Sequence, residues 1–415
     1  MDFFSFTLNI GLLRYTEIQI YINWSDTMAL TKKQTFLAFT LTLLTFVMGT
    51  SEFVIVGLLT EVAADLNVTV ASAGTLVSGF AIAYAIGTPV LTGWVSRFPK
   101  YPLMLTLIVV FILGNIISAL TSSFGVLLTA RIVTAAASGV LTALAMTVAS
   151  DTMPAARRSS VIALIFAGFT ISNVLGVPLG TFIGQLGSWH LTFWVTALLG
   201  VIAFVISLFI LPKTAAGEKS SIMKQLVLFK NPKILVGFFI PTFSIAGTYT
   251  IYTYITPIIE DELGIASSSV GLVLLAYGLF SIASNFLAGK IAGRNGIGDL
   301  RYAFIIQAII IGSLYVTMGI TIAGLISIML MAVMIYVMNA TIQIYLMDQA
   351  AAYSTAARDF ASSLTPVSVN IGITLGSALG GLVVAYGNLP NLAIVGGICA
   401  LIASLLSFIS YRMES

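Results

Sequence analysis

Residues 34–59 read QTFLAFTLTLLTFVMGTSEFVIVGLL, and the architecture follows from that stretch. It carries one charge, Glu52, and no helix breaker beyond two glycines. At 1.5 Å per helical residue it is long enough to cross a hydrocarbon layer roughly 30 Å thick, so it predicts a membrane-spanning helix with a carboxylate inside the layer. Charges in that position are expensive and usually functional.

The rest of the chain has the same character. Its 415 residues include 18 basic and 15 acidic side chains, so 8% are charged where soluble domains hold about 25%. Hydrophobic residues make up 59%, and the mean hydropathy is +1.07. These values exclude a soluble fold. One histidine, His190, and one cysteine, Cys399, leave no basis for a His/Cys metal cluster, an internal disulfide or a Cys/His nucleophile. The isoelectric point near 8.9 does not argue for a nucleic-acid partner, because membrane proteins gather cations in cytoplasmic loops.

Twelve spans are predicted: approximately Gln34 to Leu59, Thr75 to Thr92, Leu103 to Leu120, Gly125 to Ala149, Ser160 to Gly184, Leu191 to Leu211, Ile234 to Ile259, Ser268 to Ala292, Tyr302 to Ile320, Leu325 to Leu346, Leu364 to Ala385 and Leu392 to Tyr411. With both termini cytoplasmic, Lys32/Lys33, Arg97/Lys100, Arg157/Arg158, Lys213 through Lys233, Lys290/Arg294/Arg301, Arg358 and Arg412 all fall on the inner side. Glu61, Asp65, Glu260, Asp261 and Glu262 then fall outside, which is the asymmetry expected of a multi-pass protein of the bacterial cytoplasmic membrane. Residues 1–27 are too interrupted by charge to span. Two readings stand for them: the physiological start is Met28, or they form an amphipathic surface helix.

A repeat divides the chain. Asp65-Leu66, Gly74, Arg97 and Asp151 recur 197 residues later as Glu262-Leu263, Gly271, Arg294 and Asp348. Gly176, Gly180 and Gly184 recur 196 later as Gly372, Gly376 and Gly380. The fold class expected is all-α: two six-helix bundles, 28–211 and 234–415, related by a pseudo-two-fold axis along the membrane normal and joined by a basic cytoplasmic linker, 212–233. Such duplication suits a rocking transporter.

Several motifs resemble the major facilitator superfamily, and more narrowly the bacterial drug/proton antiporters and the sugar, purine nucleoside and chloramphenicol efflux permeases. They are Gly49-Thr50-Ser51-Glu52-Phe53 through Leu59 in span 1, Arg131 with Gly139 in span 4, Gly176-Val177-Pro178-Leu179-Gly180 in span 5, and Tyr252-Thr253-Tyr254-Ile255-Thr256-Pro257 in span 7. The resemblance implies alternating access, and its span 5 motif implies export. Departures occur at Ser96 and Gly293, where an acid normally precedes Arg97 and Arg294, and at Thr60 and Ala135. Asp151 and Asp348 can still pair with Arg97 and Arg294 as conformational contacts.

Glu52 and Arg131 are the two ionisable groups deep within the spans, both roughly 10 Å below the outer edge. In the resembling fold spans 1 and 4 line the central cavity, so the pair is expected to meet. Burial opposes a carboxylate's charge and a guanidinium favours it, and a change in cavity hydration can reset that balance. Two roles are open: proton coupling, or a permanent ion pair that fixes packing. The second half holds no equivalent pair. It offers Tyr249 and Tyr252 at i, i+3, and Asn339 and Gln343 at i, i+4, with Asn173 and Asn370 in spans 5 and 11, as candidate contacts for an uncharged or weakly charged solute. Lipid contact and helix–helix bonding are the alternative uses of these rings and amides. Gly176, Gly180 and their recurrences read as a close-packing stripe, and Pro178 as a kink. His190 reads as an interfacial residue and Cys399 as apolar filler.

The leading expectation is a monomeric, proton-driven efflux antiporter without cofactor or metal, whose partners are a small-molecule substrate, protons and membrane lipid. The alternatives are an importer or uniporter on the same fold, and a membrane enzyme, for which His190 and Cys399 supply no nucleophile or metal cluster.

Overall fold

The computed structural model describes residues 30–95, 97–213, 227–351 and 355–414. The expectations for residues 1–27, and for most of the linker, lie outside them. Twelve helices are long and apolar enough to cross a membrane: α1 (Lys32–Gly57), α2 (Val70–Val95), α3 (Lys100–Leu120), α4 (Phe124–Thr152), α5 (Ser160–Leu186), α6 (Trp189–Ile210), α7 (Pro232–Tyr252), α8 (Ser267–Ala292), α9 (Ile297–Thr317), α10 (Thr321–Ala350), α11 (Leu364–Tyr386) and α12 (Asn391–Arg412). Because the count is even, the chain enters and leaves at one end of the bundle. That end carries Lys32, Lys100, Arg301 and Arg412; the opposite end carries Glu61, Asp65 and Glu260. They are called the basic and the acidic end.

A capping box starts α1: the Thr31 hydroxyl accepts from the Gln34 amide, and the Gln34 carboxamide accepts from the Thr31 amide. Large apolar side chains such as Phe209, Phe286 and Leu186 stand exposed on the perimeter, where only lipid can cover them. The central helices α1 and α7 are instead rich in Thr, Ser and Gly. Their hydroxyls are satisfied within the helix, as in Thr50 to Phe46 O and Thr250 to Ala246 O, so small polar residues can pass through the interior without unpaired groups.

Both halves use one packing device. Gly176, Gly180 and Gly184 of α5 sit directly against Thr50 and Val54 of α1 and Leu58 at its C-cap, and Gly372, Gly376 and Gly380 of α11 sit against Ile245 and Ala246 of α7 and Tyr254 just past its end. A Cβ at any of the six would overlap the facing helix. In α5, however, the kink expected at Pro178 takes a specific form: residues Ser172–Gly176 make a π turn, which accommodates the proline's missing N–H one turn upstream. A π turn inserts one residue into an α-helix. The repeat spacing drops from 197 at Asn173/Asn370 to 196 at Gly176/Gly372 across this turn, so the structure explains the change of register.

Two more helices are interrupted. α7 ends at Tyr252 and resumes through Ile255–Pro257 into the π turn Ile258–Glu262. α10 breaks between Met334 and Asn339, where the freed Tyr336 amide donates to the Ser284 hydroxyl of α8.

Among the described residues, hydrogen bonds between the halves lie at the acidic end. The Thr256 hydroxyl donates to Val56 O at 2.8 Å, and the Gln185 carboxamide to Ser267 O. Gly74 of α2 packs on Tyr254, and Gly381 of α11 approaches Ala71. The structure is closed at that end.

Candidate functional site

Arg131 is 1% exposed and sits in α4 with its planar fork aimed at α1. Its two terminal nitrogens donate to the carbonyls of Ser51 and Glu52, each at 2.8 Å, and Nε donates to Leu76 O of α2 at 3.3 Å. Its guanidinium carbon lies 4.6 Å from the centre of the Phe80 ring. The side chain therefore joins α1, α2 and α4. Each carbonyl has a second lone pair beyond its helical bond, and the fixed guanidinium geometry matches a row of them.

The expected ion pair between Glu52 and Arg131 is not formed. Arg131 binds the Glu52 backbone, and among the described residues the one ion pair is Lys100–Asp151. Glu52 is buried all the same, at 6% exposure. Its carboxylate is within electrostatic reach of Arg131 and of the hydroxyls of Tyr84 on α2, Tyr249 on α7 and Tyr336 in the break of α10.

Rings continue from this carboxylate into the second half. Phe53 lies 6.4 Å from Tyr249, Tyr249 packs edge-on to Tyr252 at 5.4 Å, and Tyr252 stacks on Tyr277 of α8 at 4.8 Å. Tyr249 and Tyr252 are thus brought together with Glu52. Tyr84, Tyr277 and Tyr336 complete the wall but escaped the sequence reading, since each is a single tyrosine in an apolar run. The one signal available was their type: Tyr277 brings a hydroxyl into a deeply apolar helix, and that hydroxyl is buried with no hydrogen-bond partner.

The amides divide. Asn173 and Asn370 stand 197 residues apart and make the same bond, Nδ2 to the carbonyl four residues back, to Phe169 at 3.3 Å and to Pro366 at 3.1 Å. That bond orients the amide group and leaves Asn370 Oδ1 buried without a donor; Asn339 Oδ1 is likewise buried and unpaired. Gln343 contacts the Met347 sulfur at 3.6 Å. Unpaired buried acceptors cost stability and call for a donor from elsewhere.

At the basic end the expected pairings differ. Asp151 is held by Lys100, because the amine at the head of α3 reaches the foot of α4, while Arg97 lies 5.0 Å from the ring centres of both Trp94 and Phe98. Arg294 and Asp348 are both exposed and form no ion pair among the described residues. Gly176, Pro178 and Gly180 occupy the α1–α5 contact and the π turn beside it.

At the acidic end, Glu61 accepts from the Trp189 amide at 2.8 Å and Asp65 from the Trp189 indole at 2.9 Å. Burial raises the Glu61 pKa above the ordinary carboxylate value of 4.5. The Trp189 amide and His190 act against that rise, and Asp65 and, across the interface, Glu260 add to it. His190 stacks on Trp189 and bonds Ser188 Oγ and Thr121 O, the contacts of an interfacial tie. Among the described residues no cluster of three or more His, Cys, Asp or Glu side chains could hold a metal ion.

The profile of the Major Facilitator Superfamily matches residues 41–357. The chain belongs to the Major Facilitator Superfamily. This transporter is 36% identical to the MFS-type transporter YtbD of Bacillus subtilis (strain 168), over 89% of this chain and 93% of that one. It is 28% identical to the chloramphenicol resistance protein of Streptomyces lividans, over 87% and 92%. Among solved structures, the nucleoside transporter NupG superposes with a TM-score of 0.72 at 18% identity, covering 93% of this chain and all of that one. The likeness to NupG is one of fold. The protein is a multi-pass membrane transporter of the superfamily, whose members bind small-molecule substrates and often ions.

Proposed function

We propose that this transporter exports a small organic solute from the cytoplasm in exchange for protons, with the basic end and both termini on the cytoplasmic face of a bacterial cell membrane. The observation that carries the reading is Glu52: a buried carboxylate in span 1, free of any ion pair, facing rings from both halves. A carboxylate so placed can be discharged by a proton far more readily than one locked to a guanidinium. Arg131, anchored on backbone carbonyls, supplies a fixed positive potential beside it and holds the helix that presents it. Protons are the driving partner, and no cofactor enters the cycle.

The substrate side of the reading rests on these rings and on two amides of the second half. Stacked tyrosines with the unpaired acceptors Asn339 Oδ1 and Asn370 Oδ1 suit a neutral or weakly charged aromatic solute that carries hydrogen-bond donors. The similarity to a chloramphenicol resistance protein supports export and a solute of that kind. The positive-inside asymmetry supports the orientation.

Everted vesicles test both the direction and the ion. With an amphenicol and a panel of sugars and nucleosides as probes, substrate entering the lumen is expected to alkalinise it, and Glu52→Gln is expected to abolish that exchange while leaving downhill binding measurable. Acidification of the lumen would identify an importer-type symport, and unchanged pH dependence in Glu52→Gln would remove Glu52 from the coupling.

A further inference from the structure

At the basic end of the second half, Arg301 near the head of α9 and Arg412 at the foot of α12 share the ring of Phe408, at 5.8 and 4.7 Å. Arg301 also lies 4.7 Å from the Tyr302 ring centre and 4.6 Å from that of Tyr411. Rings cover the faces of a guanidinium and leave its in-plane N–H groups for some other acceptor. Among the described residues the protein supplies none. Arg301 Nε is buried without a partner, and neither Asp299 nor Glu414 comes within ion-pair distance of either arginine; Glu414 accepts instead from Gln349 at 3.2 Å.

Hydrogen bonds brace the place, and its outer surface is apolar. Ser404 Oγ donates to Arg301 O and Ser407 Oγ to Ile297 O, both at 2.8 Å, pinning α12 to the head of α9. Beyond the arginines, one turn along α9 and two turns back along α12, the two helices expose Ile305 and Leu405, which acyl chains would cover. Two unpaired cations at helix ends, at headgroup depth, above an apolar surface, match one kind of molecule.

We propose that the head of α9 and the foot of α12 form a binding site for the phosphodiester headgroup of an anionic phospholipid. The Arg301 edge donates to phosphate oxygens in the bidentate manner of guanidinium–phosphate pairs, and Arg412 adds the second charge. The site is separate from the cluster of Glu52 and the tyrosines, and independent of the transport direction.

Native mass spectrometry of the full-length protein from micelles containing equal phosphatidylglycerol and phosphatidylcholine tests it. The wild type is expected to retain phosphatidylglycerol preferentially, and each arginine replaced by glutamine to weaken that retention about fivefold. An absent preference in the wild type, or an undiminished one in the Arg301→Gln/Arg412→Gln protein, would overturn the proposal. If the double variant does not fold, Arg412→Gln alone decides, since Arg412 is exposed at a helix end. Displacement of the lipid by millimolar inorganic phosphate would mark a soluble phosphate site and overturn the lipid assignment too.

Discussion

At the scale of single residues, the deep arginine and the deep glutamate do different jobs. Arg131 satisfies three carbonyls on two neighbouring helices, so its loss is a structural event. Lysine offers a point charge in place of a fork, and Arg131→Lys is expected to lose at least one charge-assisted bond worth about 1.5–3 kcal/mol, or roughly 2–4 °C in the thermal midpoint in detergent. Glu52→Gln breaks no ion pair and is expected to shift that midpoint by less than about 1 °C; a fall as large as that of Arg131→Lys would mean the two side chains hold each other. Tyr277→Phe removes a buried, unpartnered hydroxyl and is expected to leave stability unchanged or slightly raised while weakening substrate affinity up to about tenfold, as a titration of the purified protein would show. Glu61 gives a pH dependence of definite sign. Its folded carboxyl holds a proton to higher pH than the unfolded chain does, so folding favours the protonated form, and stability falls as pH rises from 4.5 through the folded value. Glu61→Gln keeps the acceptor for the Trp189 amide, and a series of melts from about pH 4 to 7 is expected to lose that decline.

Among the elements, α5 carries the most consequence. Its π turn inserts one residue ahead of Pro178 and turns the downstream segment by about 100°, which sets Gly180 and Gly184 against Val54 and Leu58. Deleting Val174 is expected to restore a continuous α-helix, rotate that stripe off α1 and abolish transport, with the midpoint falling as the glycines lose their partner helix. Placing a side chain at Gly180 acts at the same contact from the other side, since its Cβ meets Val54 at once. The break in α10 has another origin. Residues 335–338 hold neither glycine nor proline, and the helix opens where Ser284 of a neighbouring helix takes the Tyr336 amide.

At the scale of the whole molecule, the hydrogen bonds between the halves among the described residues gather at the acidic end, through Thr256 on Val56 and Gln185 on Ser267. If closure there alternates with opening, cysteines at Gln185 and Ser267 are expected to react with a short bifunctional thiol reagent and arrest transport, while either single variant continues to move substrate. The native Cys399 is buried and gives little background.

The chain's covalent order settles what depends on composition and period. Twelve apolar runs, the charge asymmetry between loops, the repeat and the intramembrane positions of Glu52 and Arg131 are all visible there, because a bilayer filters residues by length and polarity with little regard to tertiary detail. Even the π turn left a mark, in the one-residue change of repeat spacing between Asn173 and Gly176. What the folded molecule alone decides is which atom meets which. Proximity of Glu52 to Arg131 suggested an ion pair, yet the guanidinium takes backbone oxygens; Asp151 was matched with Arg97, yet Lys100 reaches it first. Tyr84, Tyr277 and Tyr336 join the wall from three helices whose sequences give them no common pattern. Such choices turn on helix rotation and on distances of an ångström or two, and those are set by packing between segments far apart in the chain.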